Sequence, residues 1–177
     1  MRQRIIVIVG IAVLALVATS VALAGTLTAT ATVTGASGLS LNLPSNPSIS
    51  DTLNGTDQTV TYAPVLNTVD ARGSGAGWNV QVSQAAFSDG NGHTIAAGSI
   101  TGVAQACHTG STCTAATSSG ITYPLTLSTT AAKMFNAAAN TGLGSIDVTP
   151  TFSVAIPGNT YAGTYTSTIT LSAATGP

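Results

Sequence analysis

The chain has 177 residues and only 5% of them are charged, against about 25% in an ordinary soluble domain. Four Lys and Arg face five Asp, Glu is absent, and Thr fills roughly one position in six. So few charges leave no basic patch for nucleic acid, no phosphate clamp and no charged flanks for a coiled coil. At the same time, a 44% hydrophobic content is too high for charge-driven disorder.

In chain order, the first element is a targeting segment. Met1-Arg2-Gln3-Arg4 is a short basic region, Ile5 to Ala18 is an apolar run broken only by Gly10, and Ala22-Leu23-Ala24 is a small-residue cleavage site. This pattern predicts a signal peptide over 1–24, cut between Ala24 and Gly25. The rival is an uncleaved anchor, because residues 5–24 reach the ~20 apolar residues that span a bilayer; membrane contact is expected only through this segment. Cleavage would remove Arg2 and Arg4 and leave Arg72 and Lys133 against five aspartates, a net charge of −3. The remaining stretch, 25–177, is the size of one domain.

Strand patterns fill that stretch. Leu27, Ala29, Ala31 and Val33 alternate with Thr over Gly25 to Thr34. Leu39, Leu41 and Leu43 alternate with Ser40 and Asn42 until Pro44 and Pro47 end the run. Val60 and Tyr62 follow, then Trp78, Val80 and Val82, then Ile121, Tyr123, Leu125 and Leu127. Ile146, Val148, Phe152, Val154 and Ile156 hold one parity, as do Tyr161, Tyr165, Ile169 and Leu171. Period two in Thr, Val, Ile and Tyr is the mark of half-buried strands, with the apolar parity inward and the Thr parity outward. Turns fall at Asn54-Gly55, at Asp89-Gly90-Asn91-Gly92 and at Pro157-Gly158-Asn159. Only Thr130 to Asn140 has a helical look. The expectation is an all-β fold: a single antiparallel β-sandwich, Ig-like or jelly-roll-like, with at most one short helix near 130–140.

Cys107 and Cys113 are the only cysteines, and an even count in an exported chain predicts a disulfide that pins a loop or hairpin tip. A metal would need His93 or His108 with carboxylates at ligand spacing, which the sequence lacks, so neither metal nor cofactor is expected. Catalysis is not expected either. The five aspartates, Asp51, Asp57, Asp70, Asp89 and Asp147, are scattered, and no G-x-S-x-G elbow occurs.

Two stretches carry a resemblance. Asp70-Ala71-Arg72-Gly73-Ser74-Gly75-Ala76-Gly77-Trp78-Asn79-Val80 leads through glycines into a Trp-x-aliphatic strand. Ile156-Pro157 runs through Gly163 and Tyr165 to Ile169-Thr170-Leu171. Together they resemble the WxL-domain family of bacterial surface proteins, in its WxL-like branch from Gram-positive bacteria such as actinobacteria. The motif residues are Trp78, Val80, Ile169 and Leu171, with Ile169-Thr170-Leu171 standing where the family has its second Trp-x-Leu. The resemblance covers most of 25–173. It implies a secreted, non-catalytic, cell-surface domain that associates non-covalently with the cell wall, peptidoglycan in particular.

The same residues carry two readings each. Trp78, the sole Trp, is either a core residue sharing parity with Val80 and Val82 or a platform for a sugar ring. Asp70 and Arg72 form either a structural pair or a ligand contact. Tyr161 and Tyr165 read as half-core residues within reach of a wall polymer. The partner is therefore cell-wall polymer or other surface proteins held in a complex. The alternative is self-association: a structural subunit of an extracellular fibre, joined by addition of the Thr-rich first strand to a neighbour's sheet edge.

Overall fold

A computed structural model describes residues 29–36 and 38–177. The expected leader over 1–24, the Ala24–Gly25 cleavage step and the first part of the 25–34 strand lie outside the described residues.

The longest strand organises the molecule. Alternating Ile, Val and Phe against Ser, Thr and Asp let residues 144–156 extend in one piece, burying Ile146, Val148, Pro150, Phe152 and Val154 on a single face. Numbered along the chain, the described strands are β1 Leu39–Asn42, β2 Gln58–Tyr62, β3 Leu66–Asp70, β4 Trp78–Gln84, β5 Phe87–Ser88, β6 Thr94–Ile95, β7 Ser99–Cys107, β8 Leu125–Thr126, β9 Ala132–Ala137, β10 Gly144–Ile156 and β11 Ile169–Thr175. All pairings among them are antiparallel.

One sheet has the order β1-β3-β10-β7-β8, with β2 also on β10. Because β7 occupies one edge of β10 over Ile146 to Ser153, β2 and β3 must share the other edge. Asp70 faces Gly144 at one end and Gln58 faces Ile156 at the other. The second sheet is β11-β4-β9, and β5–β6 is a separate hairpin. The two large sheets close on a common core: Leu66, Ile100, Ile146, Val148 and Phe152 from the first meet Trp78, Val80, Val82, Met134 and Phe135 from the second. This is the all-β sandwich that the alternation predicts.

Several elements differ from the sequence reading. The segment near 130–140 is not a helix but β9, paired to β4 from Val82↔Ala132 to Trp78↔Ala137. Its alanines favour a helix, but a free edge of β4 beside a hydrophobic interior outweighs that weak preference. A register shift at Val80/Gln81 lets the consecutive residues Met134 and Phe135 both turn inward. Ala29 to Thr34 form no strand and are exposed. In the 121–127 run only Leu125 and Thr126 pair, and the last strand begins at Ile169 rather than near Tyr161. Strands β3 and β7 carry no regular alternation: Asn, Thr and Asp interrupt the first, and Ala, Gly and Gln the second.

Candidate functional site

The glycine-rich motif forms a closed turn between the two sheets. Asp70, at the end of β3, is buried with its side chain fully covered. Its carboxylate accepts Nε of Arg72 at 2.8 Å, Nη2 at 2.8 Å and the Arg72 backbone N–H at 3.1 Å. These bonds hold the Asp70 carboxyl below the usual carboxylate range against the opposing effect of burial, and they raise the guanidinium. Arg72 also donates to the Gly77 carbonyl at 2.8 Å and to Thr175 Oγ1 at 2.7 Å. One guanidinium thus ties β3 of the first sheet to the entry of β4 and the end of β11 in the second.

Gly77 can only be glycine: its φ is +70° and a Cβ would lie 2.4 Å from the Ala137 carbonyl oxygen. The turn delivers Trp78 to the interior at 0% exposure. Its indole N–H donates to the Gly142 carbonyl at 2.8 Å, and its ring meets Phe135 at 5.8 Å between centroids. Trp78 is a core residue in this fold and has no face open to a ligand.

The motif strands β4 and β11 are neighbours, but Trp78 and Ile169 are not. Thr175 faces Trp78, whereas Ile169 faces Gln84 at the other end of the pair and Leu171 faces Val82. Six residues of strand, roughly 20 Å, separate Trp78 from the position that faces Ile169. Ile169 and Leu171 are half-buried and pack against the core.

Tyr161 and Tyr165 lie outside the core, at the end remote from Arg72. Tyr161 is 66% exposed, which corrects its reading as half-core; it sits in irregular chain before β11, not in a strand. It stacks on His93 with ring centroids 4.0 Å apart, and Tyr165 Oη donates to the Tyr161 carbonyl at 3.0 Å. His93 Nδ1 lies 2.6 Å from Asp89, whose carboxyl is lowered to about 2 by the His93 hydrogen bond first and by backbone N–H groups next. The turn at 89–92 joins β5 and β6, as its Asp-Gly-Asn-Gly sequence predicts.

The Cys107–Cys113 disulfide is formed and closes a loop after β7. Beside it, Asp147 receives Asn67 Nδ2 at 3.0 Å and faces His108 Nδ1 at 2.8 Å. No group of three or more His, Cys, Asp or Glu gathers among the described residues.

The outward face of the first sheet, not singled out in the sequence, is an uncharged polar surface. Thr61 faces Ser153, which faces Ser99; Thr151 lies beside Thr101, whose hydroxyl donates to the Thr151 carbonyl at 3.3 Å; Thr59 flanks them. No charged residue occurs in 58–62, 99–107 or 148–156. The signal was the Thr parity of each strand; what the sequence withheld was that three strands place their hydroxyls side by side.

The paired motif strands and the buried Trp behind a glycine turn define an all-β domain anchored on a tryptophan motif. A family model described as "WxL domain surface cell wall-binding" matches residues 25–177, and the chain belongs to the WxL-domain family. It is a cell-surface protein of a wall-binding family. No curated protein and no solved structure matches it.

Proposed function

We propose that the protein is a secreted, non-catalytic module of a Gram-positive surface that holds non-covalently to peptidoglycan, with its leader removed after Ala24. The wall-binding family match over 25–177 carries this reading. The uncharged hydroxyl face of β2, β10 and β7 is the surface best suited to the task, since a glycan offers hydroxyls and amides rather than charge. Trp78, Asp70 and Arg72 serve the wall indirectly, by holding the two sheets together.

Sedimentation with purified cell walls tests the reading. The full chain is expected to co-sediment with little change between low and moderate salt, because no ion pair is involved. A triple variant, Thr61→Val, Thr151→Val and Ser153→Ala, is expected to lose roughly tenfold or more in retention, at ~0.5–1.5 kcal/mol per hydrogen bond. Full retention by that variant would discard this face; no retention by the wild type would discard the reading. N-terminal sequencing of the surface-extracted protein checks for a start at Gly25.

A further inference from the structure

The inward row of the first sheet does not stay buried to its end. Leu66, Thr68 and Asp70 of β3 are buried, but Val60 and Tyr62 of β2, further along the same edge of β10, are only half-buried. The cause is a short roof: the second sheet stops at Gln84 and Ile169, while β10 continues to Ile156. Beyond it the inner face opens into a groove of about 1160 Å³ floored by Val60, Tyr62, Val154 and Ile156, between chain segments 46–53 and 160–168. Segment 160–168 is tethered from outside: Ser88 and Thr166 exchange two backbone hydrogen bonds of 2.9 Å, and Tyr161 stacks on His93.

The other side of the groove is an unused sheet edge. After Asn42 the chain leaves the sheet at Leu43-Pro44, and Pro47 follows; proline offers no N–H to a ladder. Among the described residues no backbone hydrogen bond joins 43–57 to β2. Only the Gln58 amide bridges across, to the Thr52 carbonyl at 3.1 Å and to Asp51 at 3.3 Å.

We infer that this groove takes a β-strand from a second copy of the chain, and that the strand is Gly25–Thr34, pairing with the free edge of β2. The segment alternates Leu27, Ala29, Ala31 and Val33 with Thr and contains neither charge nor proline, so one parity is apolar and matches the floor. Its described part, Ala29 to Thr34, has no strand partner among the described residues and is exposed, with Val33 at 92%. Ala29 to Thr34 are exposed, which leaves their apolar parity available to a second copy. Donor and acceptor lie on different parts of each copy, so the contact is head-to-tail and propagates into open chains. With two Arg or Lys and five Asp after residue 24, little charge opposes such stacking. The groove is on the inner side of the sheet whose outer face is proposed to meet the wall, so neither reading depends on the other.

Complementation between two single variants of the full secreted chain tests it by sedimentation velocity. Wild type is expected to form concentration-dependent oligomers. Ala31→Asp destroys the donor and Val60→Asp the groove; each alone is expected to associate about 100-fold more weakly or worse, since an unpaired carboxylate would have to be desolvated. Mixed one to one, they are expected to form heterodimers, because each retains the half the other lacks. Ile156→Asp replaces Val60→Asp should the latter fail to fold by circular dichroism. Wild type that remains monomeric at high concentration, Ala31→Asp that associates like wild type, or a mixture that stays monomeric would each overturn the inference. Wall co-sedimentation of Ala31→Asp is expected to match wild type, which keeps the two readings separable.

Discussion

At the scale of the residue, Trp78 and Arg72 do the most with the least exposure. Trp78 fills the interior and satisfies the Gly142 carbonyl, so Trp78→Ala loses both packing and a buried hydrogen bond. A destabilisation of about 3–5 kcal/mol is expected, to be read from urea unfolding. Wall retention per folded molecule should not change, and a selective loss of retention would restore the Trp to a ligand role. Arg72→Met strands the buried Asp70 carboxylate and is expected to cost about 3–5 kcal/mol. Arg72→Lys should recover only part of this, because an ammonium cannot donate at once to two carboxylate oxygens, Gly77 and Thr175. The sequence made Asp70 and Arg72 visible as a pair two residues apart, and Trp78 visible by parity with Val80. It did not show Gly142 as the indole's acceptor, because that contact spans 64 positions and no local rule encodes it.

At the scale of the element, legibility followed periodicity. β10 and β4 could be read directly, since apolar and polar residues alternate along most of each. β9 could not: alanine-rich sequence favours a helix locally, and only pairing with β4 makes it a strand. The Thr-rich run to Thr34 fails in the opposite direction. It has the pattern of a strand, but Ala29 to Thr34 have no partner among the described residues, and an alternating segment without ladder bonds pays backbone entropy unrewarded. The disulfide belongs to this scale too. Its loop is short, with a sequence separation of six between the cysteines, so reduction is expected to lower stability by no more than about 2 kcal/mol. Thermal unfolding with and without reductant measures this; outright unfolding on reduction would show that the loop after β7 holds more of the fold than the core does.

At the scale of the whole molecule, near-absence of charge shapes the response to pH. The folded pKa of Asp70 lies below its ordinary 3.8, so its stabilisation is complete above about pH 4 and is lost as pH falls through the lowered value. Thermal stability is expected to be level from pH 8 to about 5 and to fall below about 4. Asp70→Asn should be less stable at neutral pH but have a shallower acid slope; an unchanged slope would move the acid sensitivity elsewhere. The sequence by itself determined the all-β class, the polar uncharged surface and the motif that places the chain in its family, because alternation, composition and a glycine–tryptophan run are local properties. Tertiary structure alone decided that Trp78 is sealed in the core, that Ile169 lies a strand's length from it, that hydroxyls of three strands form one face, and that the sandwich is left open over Val60 and Ile156. Each of these depends on which strands become neighbours and where each sheet stops. Those are properties of long-range pairing, whose loop-closure cost and packing gain are settled by the chain as a whole.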